Sequence, residues 1–323
     1  MQVVFSKLLI DMNKFAKPIL RLAFSDLESG SDRCKNWLFG LLEQRFNVEE
    51  SSDPEFLICS NYGHGYLDYL CPRIFISCEN VRVSPWKCDF IFSSDYSRLP
   101  YHHRLPYYRL RYTAEELATS RNWRQILEAD RKFACVVISN PMGEERNAFW
   151  KCLEQCGPVA SGGHFRNNVG GPVPDKLEFC RGYKFCIAFE NSSAPGYTTE
   201  KLIDAWMAGC VPIYWGDERL GDDLNTKCFI HARDFDSWEA LADHVMELDQ
   251  TPGLYEAYLK QPLLNKGGLP NELTDGALLD AFEIAFKAGH RIPKYIKEAQ
   301  RLSKVVLKAR SSVRAALRPK WYQ

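Results

Sequence analysis

The stretch "FENSSAPGYTTEKLIDAWMAGCVPIYWGD", residues 189–217, decides how this sequence is read. An apolar strand stops at Glu190 and Asn191, small residues turn the chain, a helical segment runs over 199–209, and a second apolar strand follows at 210–216. That succession is a βαβ unit, whose two strands run parallel. Pro195 and Gly196 suit a sharp turn. Thr198 or Thr199 is expected to cap the helix, because a hydroxyl there accepts from backbone N–H groups that lack an intrahelical partner. A helix start also carries partial positive charge, to which Lys201 adds a full one, so the spot is an anion site. Glu200 repels phosphate and is expected to face hydroxyls such as those of a ribose. A nucleoside diphosphate meets all these demands. Taken alone, the segment fits an ordinary capped helix with a surface Glu–Lys pair better.

Working outward, apolar runs and helical periodicity keep alternating. Strands are expected at 132–141, 184–192 and 228–235, with helices at 144–156 and 236–248. Earlier in the chain, strands are expected at 18–27, 54–63, 73–81 and 88–96, with a helix at 34–46. Residues 97–130 are rich in Tyr, Arg and Pro, turn helical at 114–129, and read as the end of the first domain. Alternating strands and helices predict two doubly wound α/β domains facing a cleft at the carboxyl ends of their strands. The expected divisions are 1–125, 126–290, and a basic tail, 291–323.

Composition narrows the function classes. The chain has 323 residues, 46% hydrophobic and 25% charged, with zero formal net charge. That is globular composition without the basic excess of a nucleic-acid binder. Twelve cysteines are scattered without a CxxC pair, and several sit in apolar runs, so reduced thiols are expected rather than a disulfide framework. The N-terminal "MQVVFSKLLIDMNKFAKP" reads as neither signal peptide nor membrane anchor, which favours a cytoplasmic location. The tail holds ten Lys or Arg against Glu298, with Ile296, Ala299, Leu302, Val306, Ala309, Val313 and Ala316 on one helical stripe. Such a helix can lie on an anionic inner-membrane surface, or pack over the protein with a solvated basic face.

The 189–217 stretch as a whole, from FENS through GY, TEK and A-x-x-x-G-x-V-P-I to the final Gly, resembles the donor signature of the α1,3/1,4-fucosyltransferases. "SNPMGEERNAFW" (139–150), "VASGGHFRNNVGG" (159–171), "KLEFCRGYKFCIAFENS" (176–192), "ISCENVRVSPWKCDFIFSSDY" (76–96) and "RLPYYRLRY" (104–112) resemble further segments of that family. The compact length and TEKL form look bacterial. The resemblance implies a GT-B architecture of two Rossmann-like domains, the acceptor site in the first and the nucleotide-sugar site in the second. It implies inverting transfer of L-fucose from GDP-fucose to the 3-OH or 4-OH of GlcNAc in a lactosamine-type, Lewis-antigen glycan. It further implies Arg146 and Lys201 on the pyrophosphate, Asn191, Tyr197 and Glu200 as donor contacts, and Glu79 as general base.

Those residue types suit the chemistry. Inversion needs one carboxylate to take the acceptor hydroxyl's proton during attack on the anomeric carbon. The leaving GDP gains negative charge, which Arg146 can meet with a fork of donors and Lys201 with a compact charge. Two cations and a helix terminus can stand in for a metal, so no obligatory metal is expected, although a divalent ion can assist product release. "DFD" at 234–236 fits a metal-binding DxD but reads better as a helix cap. His102 and His103 read as a linker, His164 as a residue near the donor, and Trp150, Trp206 and Trp215 as core. Gly162 and Gly163 suit a close backbone approach. The segment after Glu79, "NVRVSPW", lacks the second acid often seen there, and the heptad repeats of bacterial members are absent. Two rival readings stand beside this one: a GT-B transferase using another nucleotide sugar, and a binding module for glycan or nucleotide sugar without turnover.

Overall fold

A computed structural model describes residues 17–27 and 32–304. These form two compact units. The first holds the described residues up to Ser93, Arg98–His103, and those from Leu278 onward; the second holds Ser94–Ser97 and Arg104–Ala277. The seams of these units fall at Arg104 and, where the chain returns to the first unit, within the Asp275–Ala288 helix; the expected divisions were at 125 and 290.

The first unit is a six-stranded sheet of β1 (Ile19–Ser25), β2 (Asn47–Glu50), β3 (Phe56–Cys59), β4 (Arg73–Ile76), β5 (Phe90–Ser93) and β6 (His102–Arg104), in the order β2-β1-β3-β4-β5-β6. The pairs from β1 to β5 are parallel. Every residue of β4 and β5 is buried, as parallel strands covered on both faces must be. Phe282, on the returning helix, stacks on Phe92 with centroids 4.1 Å apart. Asp89 fastens the last segment. It accepts from the backbone N–H groups of Arg73, Arg291 and Ile292 at 2.7–2.8 Å and from Lys297 Nζ at 2.6 Å. Lys297 is wholly buried. Residues 294–304 are helical and packed on this unit, and the rest of the predicted tail lies outside the described residues.

The second unit is a five-stranded sheet of β7 (Lys132–Val136), β8 (Val159–Ser161), β9 (Tyr183–Ile187), β10 (Val211–Tyr214) and β11 (Ile230–His231), in the order β11-β10-β9-β7-β8. All four pairings are parallel. Its main core is Phe149, Trp150 and Leu153 of the Glu144–Cys156 helix against Val136, Phe185, Phe189 and Ile213. Trp150 and Trp206 are core as expected, and Trp215 packs at the edge. The expected 114–129 helix is two short ones, Ala114–Leu117 and Trp123–Glu128, because Thr113 and Asn122 each start a helix with a side-chain cap. All eleven described cysteines are free thiols.

Candidate active site

Strand order places the site. In the second unit β8 lies on one side of β7 and β9 on the other, so connections leave these central strands in opposite directions. Such a change of direction puts the ligand-binding position of an open α/β sheet at the carboxyl ends of β7 and β9. Residues 139–140 leave β7 there, and residues 188–191 leave β9. Arg146 joins the two exits: Nη1 donates to Asn191 Oδ1 at 2.6 Å, and Nη2 donates to the carbonyls of Asn140, at 2.8 Å, and Met142. Gly143, with φ +116°, starts the Glu144–Cys156 helix, and a Cβ there would stand 3.1 Å from the Arg146 guanidinium. Arg146 is only 1% exposed, and its Nε–H has no partner among the described residues. Burial lowers the guanidinium pKa, against the attraction of Glu190.

The turn after β9 is braced by two buried acids that bracket the motif. Glu190, fully buried, accepts from the Thr199 backbone N–H at 2.7 Å, from the Thr199 hydroxyl at 2.8 Å, and from Lys201 Nζ at 2.9 Å. Asp217, also fully buried, accepts from the N–H groups of Gly196 and Arg219 at 2.8 Å and from the Thr198 hydroxyl at 3.1 Å. Burial outweighs those stabilising bonds and leaves the Asp217 pKa raised. Gly196 has φ +85°, and a Cβ would meet Ser94 O at 2.1 Å, so glycine is required. Gly216 is held as tightly, with a Cβ position 2.7 Å from Glu190 Cγ.

The helix that follows runs Lys201–Met207 and has no side-chain cap; Glu200 occupies the N-cap position. The expected capping by Thr198 or Thr199 is therefore corrected: their hydroxyls are committed as donors to Asp217 and Glu190. Lys201 Nζ also donates to Thr199 Oγ1 at 2.8 Å, and its side chain keeps 18% exposure. Burial would lower the Lys201 pKa, but Glu190 and Glu200 raise it, which holds the ammonium charged. Glu200 lies 3.8 Å from Lys176 Nζ, which pairs with Asp204 at 2.7 Å. Burial alone would raise the Glu200 pKa; Lys201, Lys176 and Arg111 overcome it and hold the carboxyl at about 2. Tyr197 is buried, 3% exposed, in the same turn.

Glu79 belongs to the first unit, three residues beyond the end of β4 rather than on the longer strand expected. Tyr62, which follows β3, donates its hydroxyl to Glu79 Oε1 at 3.0 Å. The Glu79 carbonyl is held by Ser77 Oγ and Val81 N at 2.7 Å. His102, expected in a linker, lies on β6 with Nε2 2.9 Å from Ser93 Oγ. In the glycine-rich segment, a Cβ on Gly163 would stand 1.8 Å from Ile138 O, so the close approach is to the protein's own strand exit. His164 is exposed there. Asp236 does not cap the next helix; Ser237 does, accepting from Ala240 N at 3.1 Å. Asp234 instead stands 3.5 Å from His231. Sequence reasoning left Glu190 and Asp217 off the site; each is an acid directly after a buried strand, which was the available signal. Arg233, donating to Ser193 Oγ at 2.7 Å, carried none.

Comparisons with known proteins show what the chain is similar to. Residues 127–261 match the profile of glycosyltransferase family 10 (fucosyltransferase), C-terminal part, and residues 22–111 match the alpha-(1,3)-fucosyltransferase FucT N-terminal domain. Alpha-(1,3)-fucosyltransferase FucT of Helicobacter pylori is 40% identical over 135 residues, 42% of this chain and 28% of that protein. Human alpha-(1,3)-fucosyltransferase 4 is 40% identical over 98 residues, 29% of this chain and 18% of that protein. The matches thus span less than a third of the length of these curated relatives. Crystal structures of an alpha1,3-fucosyltransferase with GDP and with GDP-fucose superpose with TM-score 0.72, at 27% and 26% identity. They cover 84% of this chain and 92% and 91% of those chains.

Proposed function

The chain belongs to glycosyltransferase family 10, the fucosyltransferases, a GT-B fold, and from that premise we propose that it transfers L-fucose from GDP-fucose to a glycan hydroxyl with inversion. The acceptor we propose is the 3-OH or 4-OH of GlcNAc in a lactosamine-type glycan. The observation that carries the reading is the braced turn at the carboxyl ends of β7 and β9, with two cations whose donors are only partly spent. Among the described residues, Arg146 has an unpartnered Nε–H, and Lys201 uses two of its three donors on Glu190 and Thr199. A buried cation with a free donor favours an anionic partner, and the pyrophosphate of GDP supplies one.

Arg146 and Lys201 hold the pyrophosphate and stabilise the charge that GDP gains as the fucosyl bond breaks. Glu200, kept ionised, accepts from hydroxyls of the donor, with Asn191 and Tyr197 as neighbouring contacts. Glu79 takes the acceptor hydroxyl's proton, and the Tyr62 hydroxyl fixes one of its carboxylate oxygens. No step passes through a metal in this scheme.

We also propose a peripheral association with an anionic inner-membrane surface through the 291–323 segment. On the 294–304 helix, Lys297 is buried while Tyr295 and Leu302 are 70% and 67% exposed beside exposed Lys294 and Arg301. An apolar stripe flanked by cations suits a lipid interface. No helix among the described residues is long and apolar enough to cross a membrane.

The deciding experiment offers GDP-fucose, GDP-mannose and UDP-sugars with lactosamine-type acceptors, with and without EDTA, followed by linkage analysis of the product. Fucosyl transfer surviving in EDTA supports the proposal. Use of another donor supports a different transferase, and GDP binding without turnover supports a binding module. Loss of activity in EDTA with recovery on Mn²⁺ refutes the metal-free scheme.

A further inference from the structure

One face of the second-unit sheet carries a concentration of sulfur that the donor chemistry leaves unused. Cys135 of β7 and Cys186 of β9 stand directly opposite each other in the parallel register. Cys180, from the Lys176–Arg181 helix, comes down on that pair, and the three Sγ atoms all lie within 4.8 Å of one another. Cys210, one residue before β10, belongs to the same buried cluster, with Ala188, Ala205 and Ala208 around it. All four thiols are at most 2% exposed. Among the described residues this is the one group of three or more His, Cys, Asp or Glu side chains with metal-ligating geometry.

Two guanidinium groups attend the cluster. Arg131 Nη2 donates to Cys210 Sγ at 3.8 Å, and its other bonds go to the carbonyls of Cys180, Arg181, Ala208 and Gly209. Arg121 Nη1 donates to Cys210 O at 3.0 Å, and its remaining bonds go to the carbonyls of Tyr258 and Leu259. Neither pairs with a carboxylate among the described residues, although a buried charge without a counter-ion is costly. A dication bound by three or four thiolates carries net negative charge and would supply that counter-ion.

We propose that Cys135, Cys180 and Cys186, with Cys210 as the fourth sulfur, form a structural site for a soft divalent cation of the zinc type. Thiolate sulfur selects such ions. In a tetrahedral zinc–thiolate site with bonds of about 2.3 Å, neighbouring sulfurs stand about 3.8 Å apart, so Cys135, Cys180 and Cys186, within 4.8 Å of one another, are already near that spacing, while Cys210 Sγ, which donates to the carbonyls of Cys180 and Tyr183, must turn to join them. Each thiol that binds releases one proton; nothing is oxidised or reduced. The ion ties the Lys176–Arg181 helix to the sheet, and Lys176 at its start pairs with Asp204 at 2.7 Å and lies 3.8 Å from Glu200. The site therefore steadies a donor-turn residue from behind, and it stands whether or not the donor is GDP-fucose.

The test uses the full chain, purified under reducing conditions, incubated with Zn²⁺ or Co²⁺ and desalted. The expected result is one metal per chain by elemental mass spectrometry. The cobalt form shows a sulfur-to-cobalt charge-transfer band in the near ultraviolet. Zinc raises the unfolding midpoint, since an ion at a hundredfold its Kd raises the folded-to-unfolded ratio about a hundredfold. Cys180→Ser and Cys135→Ser lose the band, while Cys156→Ser, at an exposed thiol outside the cluster, keeps it. Substoichiometric metal with no band in the unsubstituted chain overturns the proposal whatever the variants do, leaving the thiols as packed small hydrophobes. A band that survives Cys180→Ser, or a disulfide between two of the four cysteines, overturns it as well.

Discussion

Replacing Glu190 by Gln separates the brace from the ligand contacts it supports. The carboxylate is fully buried and holds both Thr199 and the Lys201 ammonium. Glutamine keeps one oxygen for the Thr199 N–H but turns an NH₂ group, or a neutral oxygen, toward Lys201. Removing one partner of a buried ion pair costs about 3–5 kcal/mol. The Lys201 side chain keeps 18% exposure, so water takes part of that load. We expect the lower reach, about 2–3 kcal/mol, set by the charge-assisted bond itself. For a unit of this size that lowers the unfolding midpoint by about 4–12 °C. GDP affinity, read by calorimetry below the new midpoint, should fall by about tenfold, because Lys201 keeps its charge but loses its anchor. In a double-mutant cycle with Lys201→Met, the paired variant should be less destabilised than the sum of the singles, by about 1–3 kcal/mol. An unchanged midpoint, or lowered stability with unchanged GDP affinity, would refute the reasoning that Glu190 organises the donor turn.

Other outcomes follow from the same geometry. Arg146→Ala and Lys201→Ala should each weaken GDP binding by about 10–150-fold in calorimetry, the worth of a charge-assisted contact; unchanged affinity in both removes them from the pyrophosphate. Glu200 has its pKa depressed from 4.5 to about 2, so its contribution to stability is present above 4.5 and lost as pH falls toward 2. Unfolding of Glu200→Gln followed through that window should show a shallower acid slope than the unsubstituted chain, and an equal slope would contradict the ion-pair assignment. Anionic liposomes should sediment the full chain, with release at about 0.5 M salt. A chain in which Lys308, Arg310, Arg314, Arg318 and Lys320 are replaced by Gln should stay in solution, and equal sedimentation would leave a tail that only packs on the protein.

The parallel sheets were legible because their strands are short apolar runs punctuated by polar residues, as in 184–192. The 189–217 stretch was legible as strand, turn, helix and strand for the same reason, and its reading as the turn that we propose holds the donor came from the family resemblance. What escaped were β2, with sequence NVEE, and the three-residue strands β6, HHR, and β8, VAS, whose pairing comes from neighbouring strands rather than from an apolar run. The threonines misled because a hydroxyl before a helix usually accepts from the backbone, while here two buried carboxylates compete for it as donor. Lys297 was counted among the solvated tail cations; only the fold brings Asp89, 208 positions earlier, against it. Long-range pairings of this kind leave no local trace in sequence, and neither did the register that sets Cys135 against Cys186.

The central claim is that donor binding and proton removal are separate tasks, the first assigned to the braced turn and the second to Glu79. Glu79→Gln keeps shape and polarity but cannot accept the proton. Measured side by side, its kcat for fucosyl transfer should fall by about 10²–10⁴-fold while its Kd for GDP-fucose stays within about twofold of the unsubstituted enzyme. Normal turnover in Glu79→Gln, or loss of donor affinity in step with turnover, would contradict the account.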